Sequence, residues 1–219
     1  MNLITYPDRD LMFIDLANNL AGELNTALQH EDRVSFAVPG GSTPGPVFDA
    51  LSAADVDWAR VDVLLTDERQ VPPDHARSNE RLIRERLLVG RAAEANFLRL
   101  VPDEGEAEAV NALLEERLPI DLMLLGMGDD MHTASLFPRS PDLGAAMAPD
   151  APPLMKVAAS GDLEPRITLT GPVLSSAIVT HILITGEGKR AALERAGGAN
   201  HMDSPIALVL DQADVHWAP

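Results

Sequence analysis

The feature that most constrains this chain is an alternation. The short apolar runs RVSFAV, VDVLLT, DLMLLG and AIVTHILIT each end in a glycine or charged turn, and stretches with helical spacing separate them. A strand covered on one face alternates apolar with polar residues, whereas a strand buried on both faces reads as an unbroken run. Such runs alternating with helices predict an α/β fold, a mostly parallel Rossmann-like sheet flanked by helices on both faces. Ligands in sheets of this kind bind beyond the carboxyl ends of the strands. The residues that follow each run are therefore the ones to weigh.

Along the chain, Leu11, Ile14, Leu16, Leu20, Leu24 and Leu28 predict an amphipathic opening helix over 8–29. A strand over 33–38, a glycine turn and a helix from Pro44 come next, followed by a strand over 61–66 and a helix on SNERLIRERLL. Residues 106–117 read as helix, 121–126 as strand, and Pro138 with Pro141 as a long loop. PLMKVAA and RITLT read as short strands on either side of SGDLEP, AIVTHILIT as a buried strand, GKRAALERA as a helix and PIALVL as the final strand. With 219 residues, no internal repeat and no linker-like shift in composition, the expectation is a single domain spanning 1–219.

Composition excludes several function classes. There is no cysteine, so neither disulfides nor thiolate chemistry are available, and a metal would need His and carboxylate ligands. A net charge of −17 opposes nucleic acid and anionic membranes as partners. No run approaches the ~20 apolar residues of a membrane span, and the acidic N-terminal stretch lacks the basic region of an export signal. A cytoplasmic protein is expected. The same charge repels small anions, so any phosphate site has to gather cations locally.

Three loaded stretches follow strands directly. In VPGGSTPGP, Gly40 and Gly41 allow positive φ and close backbone approach, while Ser42 or Thr43 can cap a helix that begins near Pro44. Amide donors gathered there suit a phosphate, although an ordinary capped turn explains the same residues. LLTDERQVP sets Asp67, Glu68 and Arg69 at a strand end. Adjacent opposite charges are usually a structural pair, yet Arg69 at that edge is placed to neutralise charge developing on a reacting oxygen. GMGDDMHTASLFP presents Asp129, Asp130 and His132 in one turn. A carboxylate that fixes an imidazole makes it a general base. His30, His75, His181, His201 and His216 lack such a setting and are read as structural. Of the two lysines, Lys156 and Lys189, the second opens a helix after a strand, where a cation is favoured only beside an anion. The guanidinium fork of Arg166, in EPRITLT, would also fit a phosphate.

GGSTP, DERQVP with the following SN, LLGMGDDMHTASLFP, RITLT and GEGK, in this order, resemble the 6-phosphogluconolactonases, which are related in fold to the glucosamine-6-phosphate isomerases. The match runs from about residue 39 to 190, and the VHWAP ending also fits. The resemblance implies a glucosamine-6-phosphate isomerase-like fold. It implies hydrolysis of 6-phosphoglucono-1,5-lactone to 6-phosphogluconate in the oxidative pentose phosphate pathway, with no cofactor and no metal. It makes His132 the base that activates water, Asp130 its orienting partner and Arg69 a group at the reacting end. Gly41, Ser42, Thr43, Asp67, Arg166 and Lys189 would hold the substrate, with Ser42, Thr43, Arg166 and Lys189 on the 6-phosphate. The expected partner is a small phosphosugar lactone, the protein acting as a monomer or small homo-oligomer.

One departure is Met131, where the family usually has glycine. An ordinary negative φ is expected there, with the side chain beside the pocket. The rival readings are a glucosamine-6-phosphate isomerase/deaminase activity, which needs a carboxylate where this chain has Leu136, Phe137 and Pro138, and a non-catalytic phosphosugar sensor, which would not need His132.

Overall fold

The computed structural model describes residues 1–100, 107–158 and 164–219. In chain order the elements are β1 (Asn2–Thr5), α1 (Arg9–Ala27), β2 (Val34–Val38), α2 (Gly45–Leu51), β3 (Val61–Leu65), β4 (Asp67–Arg69), α3 (Asn79–Arg86), β5 (Asn96–Leu98), α4 (Ala107–Glu115) and β6 (Leu122–Gly126). Then follow α5 (Leu143–Ala146), β7 (Leu154–Val157), β8 (Arg166–Leu169), α6 (Gly171–Ser176), β9 (Val179–Thr185), α7 (Glu187–Ala196), α8 (Ala207–Leu210) and β10 (Ala213–Ala218).

The main sheet has seven strands in the order β1-β10-β9-β6-β2-β3-β5. Every neighbouring pair in it is parallel. Every residue of β2 and β3 is buried, which requires cover on both faces. From β2 the chain builds outward through β3 to β5, returns across the sheet to β6, and builds the other way through β9 and β10. The order therefore reverses between β2 and β6, and the carboxyl ends of these two adjacent strands open the crevice that such sheets use for ligands. A second sheet of three antiparallel strands, β4-β8-β7, sits at that edge. Thr66 alone separates β3 from β4, so the chain passes directly from one sheet into the other.

Local chemistry sets the helix starts. The Asp8 carboxylate accepts the Leu11 N–H at the head of α1, and Ser78 Oγ accepts the Arg81 N–H at the head of α3.

The apolar runs are strands as expected, but four expectations need correction. PIALVL is not the final strand. Its residues 207–210 form α8, with Ile206, Val209 and Leu210 buried and Leu208 partly exposed, and the last strand is β10 in the following DVHWAP. β1 and β5 carry no recognised signal, and Asp67–Arg69 forms a third strand beside the two short ones. In α1 the buried stripe is Met12, Leu16, Ala17, Leu20, Ala21 and Leu24, while Leu11 and Ile14 are exposed. The start of the 106–117 helix and most of SGDLEP lie outside the described residues.

Candidate active site

β6 ends in a turn that delivers the histidine. The Gly128 N–H donates to the His132 carbonyl at 2.9 Å and the Met131 N–H to the Gly128 carbonyl at 3.0 Å, which folds residues 128–132 back on themselves. Only glycine fits at 128, because a Cβ there would lie 2.1 Å from His132 Nδ1 and 2.4 Å from Asp130 Oδ1. Met131 has φ 68°, so the expectation of a negative φ is overturned. The turn closed by the two Gly128 bonds holds this residue in the left-handed region. Its carbonyl is held by the Ile206 N–H at 3.2 Å, and its side chain packs against the apolar core without lining the crevice. Ala134, at φ 48°, is a second left-handed residue flanking the histidine. Such conformations cost roughly 1–3 kcal/mol each and persist where surrounding bonds dictate them.

His132 Nδ1 lies 2.5 Å from Asp130 Oδ1, and the same oxygen accepts the His132 backbone N–H at 3.2 Å. An ionised carboxylate only accepts hydrogen bonds, so the proton belongs on Nδ1 and Nε2 is left as the free acceptor. The ring N–H, more than any other influence, holds the Asp130 carboxyl below its ordinary range. The Phe137 ring stands against the imidazole at 4.8 Å between centroids. Asp129 is exposed, and its carbonyl accepts from Arg195 at 3.4 Å.

The small sheet supplies the cations. Residues opposite one another in an antiparallel pair share a face, as do residues two apart in a strand. The register sets Asp67 against Thr168 and Arg69 against Arg166, so these four side chains share one face and Glu68 points to the other. There the buried Glu68 carboxylate accepts the backbone N–H groups of Arg69, Asn79 and Glu80 and the hydroxyl of Ser78. Glu68 thus anchors the start of α3 and bonds the backbone of Arg69, not its guanidinium. Arg69 bonds the Arg77 carbonyl. Arg166 is buried, with Asp67 at 3.8 Å and the Phe137 ring at 6.0 Å. Burial, then the neighbouring Arg69, lowers the pKa of its guanidinium. The Nε atoms of both arginines are buried and have no hydrogen-bond partner among the described residues. Like charges set opposite each other repel, and two unsatisfied donors add to the cost, so this face has the chemistry to take an anion.

The remaining candidates come from β2, β9 and α7. Gly41 has φ 91°, and the backbone amides of residues 40–43 donate to no protein acceptor among the described residues. The helix after them, α2, has only seven residues, so the loop's own amides matter more than a helix dipole. Lys189 stands in the first turn of α7 and its ammonium bonds the Met127 carbonyl. Together these elements enclose a crevice of about 450 Å³. Gly41, Ser42, Thr43, Asp67, Arg69, His132, Arg166 and Lys189 all line it, with Asp130 behind His132. Asp67 is occupied by Ser135 Oγ at 2.5 Å and serves the site's architecture.

The resemblance divided Arg69 from Arg166 between the two ends of a ligand, whereas the register places them side by side. Sequence reasoning also passed over Asn79, Ser135 and Phe137. Asn79 packs the loop after β2 against β4. Its Nδ2 donates to the Asp67 carbonyl at 2.8 Å, and its Oδ1 occupies the space that a Cβ on Gly40 would need. The SN pair that opens α3 was its only signal.

Fold and crevice together define an α/β protein with a carboxylate-oriented histidine beside an anion cradle. The sequence profile of the glucosamine-6-phosphate isomerases/6-phosphogluconolactonase family matches residues 7–217, and the chain belongs to that family. It is 39% identical over 215 residues to the 6-phosphogluconolactonase of Rhizobium meliloti, covering 93% of both chains. It is 39% identical over 212 residues to that of Pseudomonas aeruginosa, covering 93% of this chain and 89% of the relative. The crystal structure of a 6-phosphogluconolactonase from Shewanella baltica superposes with a TM-score of 0.94 at 32% identity, covering 100% of this chain and 98% of that one.

Proposed function

We propose that this chain hydrolyses 6-phospho-D-glucono-1,5-lactone to 6-phospho-D-gluconate in the oxidative pentose phosphate pathway. The observation that carries the reading is the convergence on one crevice of an Asp130-oriented His132, with Nε2 free, and a pair of arginines with unsatisfied donors.

His132 Nε2 takes a proton from water as its oxygen attacks the lactone carbonyl. Asp130 keeps the imidazole in the required tautomer and steadies the imidazolium that forms. The tetrahedral intermediate collapses, the bond to the ring oxygen breaks, and the imidazolium returns the proton to the departing alkoxide. A lactone is an activated ester, so no covalent serine intermediate is needed. Arg166 and Arg69 take the dianionic 6-phosphate together with the Gly41–Thr43 loop and Lys189, and this remote grip positions the carbonyl over the base. The chemistry needs neither cofactor nor metal. The isomerase reading lacks its carboxylate, since the wall beside His132 is the Phe137 ring. No helix among the described residues is long and apolar enough to cross a membrane. On this reading residues 1–219 act as one domain, in the cytoplasm, as a monomer or small homo-oligomer.

The test is production of 6-phosphogluconate above the spontaneous rate, and a wild type that adds no rate would sink the proposal. The phosphate grip is tested by combining Lys189→Ala with Arg166→Ala. KM should rise far more for the phosphorylated lactone than for unphosphorylated gluconolactone, and an equal rise on both would contradict it.

A further inference from the structure

Ser135 lies three residues beyond His132 and is buried. Its hydroxyl donates to Asp67 Oδ2 at 2.5 Å, and its backbone N–H donates to Thr168 Oγ1 at 3.1 Å. Asp67 and Thr168 are opposite one another in the β4–β8 register, so two strands of the small sheet grasp one residue of the histidine loop. The oxygen that Ser135 holds is the one nearest Arg166, and Arg166 Nη1 stands off from it at 3.8 Å, beyond hydrogen-bond distance. A buried carboxylate next to a buried guanidinium would ordinarily close into a bidentate pair. Here it does not, and Arg166 Nε is left without a partner.

We infer that Ser135 is a positioning residue for anion binding: by occupying Asp67 it keeps that carboxylate off Arg166, so the guanidinium remains available to the phosphate of the substrate. The inference rests on reading the crevice as a phosphosugar site, and it adds a reason for an acid to stand in an anion cradle. Asp67 supplies negative charge beside Arg166, and Ser135 prevents it from competing with the ligand. The serine also ties the arginine strands to the loop that carries the base, which fixes the spacing between the phosphate and the reacting carbonyl.

In Ser135→Ala the carboxylate loses its short donor and turns to Arg166, which the phosphate must then win back. The dissociation constant for inorganic phosphate, titrated calorimetrically, should rise about tenfold, the order of one hydrogen bond to a charged group. KM for the phosphorylated lactone should rise in parallel, and by far more than KM for gluconolactone. An unchanged phosphate affinity, or an equal loss on both lactones, overturns the inference, because a merely structural serine would affect both alike. If Ser135→Ala does not fold, Ser135→Cys replaces it, its thiol being a weaker donor. Weakened phosphate binding then supports the inference and wild-type binding overturns it. The phosphate titration needs no turnover, so failure of the lactonase reading would show separately, as a wild type that binds phosphate and opens no lactone.

Discussion

His132 and the pair His181–His216 are the same side chain put to opposite uses. His132 is part-exposed at the crevice, with a carboxylate on one ring nitrogen and the other free. His181 and His216 are buried in neighbouring strands, linked Nδ1 to Nε2 at 3.0 Å. His216 Nδ1 reaches Tyr6 OH at 2.9 Å, and that hydroxyl donates to Asp15 at 2.7 Å. Asp15 fixes the direction of every proton in the line: Tyr6 donates to it, His216 donates to Tyr6, and His181 donates to His216. Both rings are then neutral. Burial pushes His216 down to about 4, with His181 the next cause, and burial lowers His181 too. A histidine becomes a base by meeting both an acid and open space. Deep in a sheet it is a polar strut.

Among changes that leave every imidazole in place, the largest effect should come from breaking the first arrangement. Asp130→Asn presents an amide to Nδ1 and lets the proton settle on the wrong nitrogen, so kcat is expected to fall about a hundredfold with the thermal midpoint unchanged. A wild-type kcat would mean that Asp130 orients nothing.

The second arrangement should show in stability. The unfolded chain protonates its histidines near 6.5, while folded His216 resists to about 4. The unfolded state therefore binds more protons between these values, and stability is complete above 6.5 and lost as pH falls toward 4. Between pH 7 and pH 5 the loss from His216 is about 2 kcal/mol, measured by denaturant unfolding. Asp130, Asp49 and Asp62 have lowered pKa values and act only below the carboxylate range. A flat profile from pH 7 to 5 would show that the buried pair carries no such penalty.

The smallest effect concerns the left-handed turn. Met131→Gly should be more stable than Met131→Val by about 1 kcal/mol or more, since a β-branched residue fits φ 68° worst. Equal stability would mean that the turn relaxes around the side chain.

The central strands were legible because burial on both faces writes an unbroken apolar run, and the loops after them followed from the sheet's edge rule. Edges were harder. β10 carries Asp214 on a half-buried position and His216 on a buried one, so its pattern hides a strand, and four apolar residues at 207–210 are too few to separate helix from strand. At the site, residue types pointed to the histidine, the carboxylates and the cations, but their pairing depended on register. That Arg69 faces Arg166, that Glu68 turns away to α3 and that Ser135 holds Asp67 all follow from how β4 meets β8, a non-local contact across about a hundred residues of chain. Met131 stands at the decisive backbone position, with a positive φ where the sequence predicts a negative one. The fold of the turn around Gly128, invisible in spacing, decides it.

The most direct test of the account is the rate at which His132→Ala opens the phosphorylated lactone. The expected result is a loss of about a thousandfold in kcat, with the variant folded and its affinity for inorganic phosphate intact. A folded His132→Ala that turns over like the wild type would contradict it.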